Sequence, residues 1–122
     1  VTQMSYLDFP LGEASLEARA QDPGHPPAFF CSGVGQIAGS EVHKANLFLV
    51  RRSGDDPADC GELELRDRAW SGRLLFEPAA FGLLMRAFFA PAETKLSVQF
   101  FAHPDGDALK VRQLSFGVTR LT

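Results

Sequence analysis

Hydrophobic and polar positions in this chain alternate with a period of two over much of its length, most clearly over residues 95–112. Leu96, Val98 and Phe100 alternate with Lys95, Ser97 and Gln99, and further on Leu109 and Val111 alternate with Lys110 and Arg112. That period sets one face of a strand against a core and the other in water. Between the runs lies His103-Pro104-Asp105-Gly106-Asp107. Here Pro presets φ, Asp bonds its own backbone and Gly accepts a positive φ, so the segment predicts a β-hairpin. Past Arg112 the apolar phase moves from odd positions to Leu114, Phe116 and Val118. One extra residue at Arg112-Gln113 restores a common face, which predicts a β-bulge and a twisted or curved sheet. The expected register places His103 opposite Ala108 around a four-residue loop, Ala102 opposite Leu109 and Phe100 opposite Val111. Beyond the bulge, Val98 then faces Leu114 and Leu96 faces Phe116, keeping the apolar members on one side.

Upstream the pattern is less uniform. Residues 1–12 carry no period and read as an N-terminal arm pinned by Phe9 and Leu11. Residues 13–21 alternate completely and predict a strand, and Asp22-Pro23-Gly24-His25-Pro26-Pro27 ends it. An apolar, Gly-punctuated run follows over 28–38, and residues 44–51 are apolar on both faces, as a central strand buried on both sides would be. Residues 52–59 form a polar, acidic loop, residues 62–66 alternate as a one-sided strand, and Ser71-Gly72 predicts a turn ahead of residues 73–76. Residues 78–89 switch to a helical period. Pro78 suits a first helical position, Phe81, Leu84, Met85 and Phe88 recur at i, i+3, i+4 and i+7, and Pro91 stops the run. That stripe should be buried on the sheet, with Arg86 outside. The expected architecture is mainly β: about six antiparallel strands curled as a sandwich or partial barrel, with one short helix before the C-terminal hairpin.

Composition narrows the class. The 122 residues fit one domain with a real core and no need of staples. Eleven Phe against one Trp and one Tyr imply a core built on rings that carry no polar group to satisfy. A formal charge of −3 without a basic, aromatic-interleaved patch argues against a nucleic-acid partner. No apolar run reaches the ~18 residues of a membrane helix. No basic-then-apolar leader opens the sequence, so the cytoplasm is the expected compartment. Cys31 and Cys60 each lie in or beside an apolar run and read as reduced thiols, not a disulfide framework.

The candidate chemistry is sparse. Gly33-Val34-Gly35-Gln36-Ile37-Ala38-Gly39 superficially resembles a dinucleotide fingerprint, but its third Gly is one position late. No helix pattern follows it, and no acidic residue sits about twenty positions on. Glycines in a strand more often mark bends or close backbone approach. His25, His43 and His103 are isolated and have no metal-ligand spacing. Glu41 and His43 could share a strand face for acid–base work. Asp55, Asp56 and Asp59 lack the spacing and the turn Gly of a calcium loop. Ser32, Ser40 and Ser71 have no nucleophile-elbow context. Arg51-Arg52 with Asp67 and Ser71-Gly72 lack the spacing of a cyclic-dinucleotide motif. No cofactor, metal or catalytic residue is expected.

What remains is surface apolarity. Phe101 should face away from Phe100, beside Lys110 on an otherwise polar side, and either Phe29 or Phe30 must likewise face outward. Outward aromatics on a small sheet either pack under another element or form a contact surface. The last strand has no later element to cover its edge, and exposed edges must be covered, charged or paired. The expected function is therefore a non-catalytic binding or interaction module, forming a homodimer or meeting a partner protein. Phe101, Lys110 and Arg112 are its interface residues, and a dimer would bury at least ~1,000 Å². The alternative is a small β-barrel, carrier or enzyme, that holds an apolar ligand in a cavity of a few hundred Å³.

Overall fold

The computed structural model describes residues 4–17, 28–37, 41–54, 59–90 and 93–121. The second half of the predicted strand over 13–21, the break containing His25, Gly39, Ser40, and Asp55 and Asp56 of the acidic loop lie outside the described residues. Among the described residues eight strands form: β1 (Met4–Pro10), β2 (Ser15–Glu17), β3 (Ala28–Gln36), β4 (His43–Arg51), β5 (Gly61–Arg66), β6 (Ala69–Phe76), β7 (Thr94–Asp105) and β8 (Ala108–Arg120). Among the described residues one α-helix forms, α1 (Pro78–Phe89), ahead of the last hairpin.

The sheet is mainly β as expected, and it closes. Its order is β1-β7-β8-β5-β6-β4-β3-β2, and an additional pairing of β1 with β3 makes a seven-stranded barrel with β2 as an outlier on β3. Among the described residues the pairings are antiparallel except β4 with β6, which run parallel from Lys44↔Ala69 to Arg51↔Phe76. Parallel neighbours need a crossover, and here the connection from β4 passes through β5 before β6 returns beside it.

Closure accounts for the glycines. Gly35 lies opposite Leu7, and Gly33 and Gly35 have no room for a Cβ, which would strike the carbonyl oxygens of Asp8 and Tyr6 respectively. The barrel shuts where two backbones approach across these glycines, so the nucleotide-like run is structural. Gly61 and Gly72 hold φ of +136° and +148° on facing strands β5 and β6. A Cβ there would meet the carbonyl oxygens of Arg73 and Glu62. These kinks bend the β5–β6 hairpin into the barrel wall.

The interior is taken up by Leu7, Phe9, Phe29, Leu47, Leu49, Leu63, Leu74, Leu96, Val98 and Phe100, each at most 1% exposed. α1 follows β6 and lays Phe81 and Phe88 on Phe29, with ring centroids 5.4 and 5.0 Å apart. Its bounds match the sequence reading. Phe81 and Leu84 are buried and Arg86 is exposed, but Met85 and Phe88, packed at the edge of the core, are only half-buried.

Several expectations are corrected. The N-terminal arm is a barrel strand, β1, paired with β7 along its whole length. β4 is buried on one face only: Ala45, Leu47 and Leu49 point in, whereas Phe48 is 39% exposed on the outside and packs on Phe30 at 5.0 Å. The β5–β6 turn falls at Asp67-Arg68, not Ser71-Gly72. Both turn residues have positive φ, 51° and 65°, the primed geometry that follows strand twist. Leu65, beside that turn, is 49% exposed despite the alternation of β5.

The last hairpin forms with its bulge. Phe101↔Arg112 and Gln99↔Ser115 leave one extra residue on β8, and Gln113 takes a φ of +54° there. The pairing is shifted by two residues from the expected register. Asp105 faces Ala108, Ala102 faces Val111, Val98 faces Phe116 and Leu96 faces Val118. A two-residue slip preserves which face is buried, so the side-chain pattern could not distinguish the two registers. The turn decides: Gly106, at φ +65°, takes the first position of a two-residue loop.

Candidate functional site: the outer face of the closing strands

The bulge at Gln113 fixes the site. On β7 the residues 96, 98, 100 and 102 point inward, so Phe101 and His103 point outward. Their cross-strand partners are Arg112 and Lys110. Phe101, His103, Arg112 and Gln113 line an open depression of about 350 Å³ on the outside of the barrel. β1, on the other side of β7, brings Met4 directly opposite Phe101 and Tyr6 opposite Gln99. Met4 and Tyr6 are each 47% exposed, and Tyr6 donates its hydroxyl to Gln36 Oε1 on β3 at 3.0 Å. The outer wall over β1, β7 and β8 thus groups Met4, Tyr6 and Phe101, beside the Gln99 and Gln113 amides and the Arg112 guanidinium, with the Ser97 hydroxyl donating to Asp8 Oδ1 at 2.6 Å further along β1 and β7.

The three residues singled out from the sequence share this face, with different attachments. Phe101 is half-buried against its strand neighbours. Arg112 reaches Asp59, Nε to Oδ1 at 3.3 Å, and is otherwise largely exposed. Lys110 is drawn away toward β5, where Nζ donates to Glu62 Oε2 at 2.9 Å. That hydrogen bond to Glu62 is the main cause holding the Lys110 ammonium above its ordinary pKa, against some desolvation. Exposed ion pairs of this kind contribute little to stability. Their larger effect is to anchor the two cations along the barrel wall.

Met4, Tyr6, His103 and Gln113 complete the face, and sequence reading did not assign them to it. Ser5, Leu7 and Phe9 are the buried residues of β1. A buried Ser between two exposed apolar residues inverts the alternation that would have shown Met4 and Tyr6 facing out. Glu41 lies ahead of β4, which begins at half-buried His43. Among the described residues, no three His, Cys, Asp or Glu side chains converge as metal ligands would. Cys31 and Cys60 are free, and burial pushes the Cys31 thiol up to about 12. Among the described residues, no helix is long and apolar enough to cross a membrane.

Compared with protein families, curated proteins and solved structures, the chain matches none.

Proposed function

We propose that the protein is a non-catalytic interaction module that self-associates through the outer face around Phe101. One observation carries this reading: large side chains occupy the inside of the barrel, while Met4 and Tyr6 lie exposed beside Phe101 on the outside. The positions that would line a ligand cavity in a carrier hold Phe9, Phe29 and Phe100, each at most 1% exposed, which weighs against an apolar ligand in the interior. Exposed apolar side chains grouped on one wall are what contact surfaces are built from. A two-fold contact covers the same patch twice, the commonest arrangement of soluble oligomers. Sedimentation tests the reading. The wild-type chain should be a dimer at tens of micromolar, and Phe101→Glu should dissociate it, because a carboxylate buried without a partner in an apolar contact is costly. A wild-type monomer at that concentration, or an unchanged Phe101→Glu dimer, refutes it.

A further inference from the structure

β8 is a strand with two different edges. Its first residues pair with β5 only over Glu62↔Lys110, Leu63↔Leu109 and Glu64↔Ala108, and the Cys60 N–H donates to the Val111 carbonyl at 2.8 Å. Past Val111 this pairing ends, just before the bulge at Gln113. From Arg112 to Arg120, among the described residues, it pairs with β7 alone. None of these nine residues is buried. On the inward side Phe116 is half-buried, packed on Phe76 at 5.4 Å, and Val118 is 39% exposed. On the outward side Gly117 is exposed, with nothing within 4 Å of where a Cβ would stand. An open edge of this kind is a template for another strand.

Which strand fits it can be argued from parity. Two copies related by a two-fold axis normal to the sheet pair antiparallel, and each inward residue must then face an inward residue. With Gly117 on the axis, Phe116 faces Val118 on the inner side and Ser115 faces Thr119 on the outer side, each pair occurring twice. Aromatic–β-branched and hydroxyl pairs are favourable cross-strand partners. Leu114 then lies against the aliphatic stem of Arg120, and the ladder ends at the bulge. The same register sets Leu121 of the second copy beside Gln113, on the outward side. Leu121 is 51% exposed in the single chain, and Gln113 forms one wall of the depression with Phe101 and Arg112.

We infer that the β8 edge is the docking strand for a second copy of this chain, paired antiparallel about Gly117, with the Leu121 of each copy seated in the Phe101–Arg112 depression of the other. This rests on the self-association reading above and names the occupant of that site. The edge supplies hydrogen bonds and register, and the depression supplies apolar burial.

The experiment combines cross-linking with sedimentation. In a Cys60→Ser background, with the buried Cys31 retained, Gly117→Cys places a thiol on the axis, facing its own copy. Opposite Cβ atoms lie ~4.5–5.5 Å apart, a small shift from disulfide geometry. Mild oxidation should convert most of Gly117→Cys to covalent dimer, while Thr119→Cys, which would face Ser115, should stay uncoupled. Val118→Lys and Leu121→Asp should each weaken the dimer at least tenfold in sedimentation while far-UV circular dichroism is unchanged. A dimer that Phe101→Glu disrupts but Val118→Lys leaves intact, with Gly117→Cys uncoupled, overturns the edge pairing and leaves self-association standing. Coupling at Thr119→Cys in preference to Gly117→Cys overturns the register. A Gly117→Cys dimer indifferent to both Phe101→Glu and Leu121→Asp overturns the seat in the depression, and a wild-type monomer overturns this inference and the reading beneath it.

Discussion

The helix supplies a graded test of how the core is held. Phe81 is 2% exposed, and its ring lies 5.4 Å from Phe29. Truncating a ring at such a site costs ~3–5 kcal/mol, the lost transfer energy plus the cavity left behind. Ala is the best helix former, so the backbone of α1 does not suffer from the change and the cost reports packing alone. Leu84, 1% exposed, should cost ~2–4 kcal/mol as Leu84→Ala on the same scale. Phe88 contacts Phe29 at 5.0 Å but keeps one side in water, so Phe88→Ala should cost about half the Phe81 value, ~1.5–2.5 kcal/mol. Leu83, 53% exposed, should cost under ~0.5 kcal/mol, as surface positions do. Against a total of ~5–15 kcal/mol, Phe81→Ala leaves a domain near its limit. Urea titration followed by circular dichroism measures the series, with an unchanged m-value as the check that the denatured state is the same. A Phe81→Ala loss below ~1 kcal/mol, or Leu83→Ala costing as much as Phe81→Ala, would refute the placement of α1.

Other expectations concern the backbone and one thiol. Gly72→Ala should destabilise by at least ~2 kcal/mol, since an L residue is strained there and its Cβ meets the Glu62 carbonyl; Gly117→Ala, in open space, should change stability by under ~0.5 kcal/mol in the same titration. Arg68→Gly should stabilise by ~0.5–1 kcal/mol and raise Tm by a few degrees: Arg68 sits at φ +65°, a conformation costing ~1–2 kcal/mol outside Gly, partly offset by the entropy of an unfolded Gly. The Cys31 thiol is held protonated by burial, from an ordinary value of 9.0 up to about 12. The unfolded chain therefore releases this proton first, and the stability Cys31 contributes is full below pH 9.0 and lost as pH rises from there toward about 12. Wild type should lose ~1.4 kcal/mol per pH unit more than Cys31→Ala in that window, and parallel slopes for the two would show that the thiol is not buried when folded.

Much of the fold was legible because period carries it. The helix bounds, the β7–β8 hairpin, the bulge and the one-sided strands all follow from where apolar residues recur. What period could not carry was closure. The parallel pairing of β4 with β6 and the contact of β1 with β3 are long-range choices, and the second leaves a local trace at Gly33 and Gly35, where the β1 backbone approaches too closely for a side chain. β4 misled for the same reason. Phe48 and Val50 look like a second buried face, but in a closed barrel the outer face is solvent unless an aromatic neighbour such as Phe30 covers it. The Asp67-Arg68 turn carried no Gly to announce it, because the twist of the flanking strands imposes positive φ on residues that do not prefer it.

The site was half legible, and the reason lies in strand lengths. Phe101 announced itself by following Phe100, since adjacent residues on a strand cannot face the same side. Met4 and Tyr6 did not, because Ser5 occupies the buried position between them. The open edge of β8 was expected on the ground that no later element could cover it, but chain order is not what leaves it open. β5 lies beside β8 and does cover its beginning, yet β5 has six residues and β8 thirteen. The bulge at Gln113 falls where β5 runs out, and among the described residues the half of β8 beyond it pairs with β7 alone. An edge exposed by a mismatch in length has a defined start, at the bulge, and a defined parity, inherited from the core side of the strand. Those two properties make a second copy of the same strand a fitting partner, and they tie the edge to Phe101 and Arg112 through the single residue Gln113.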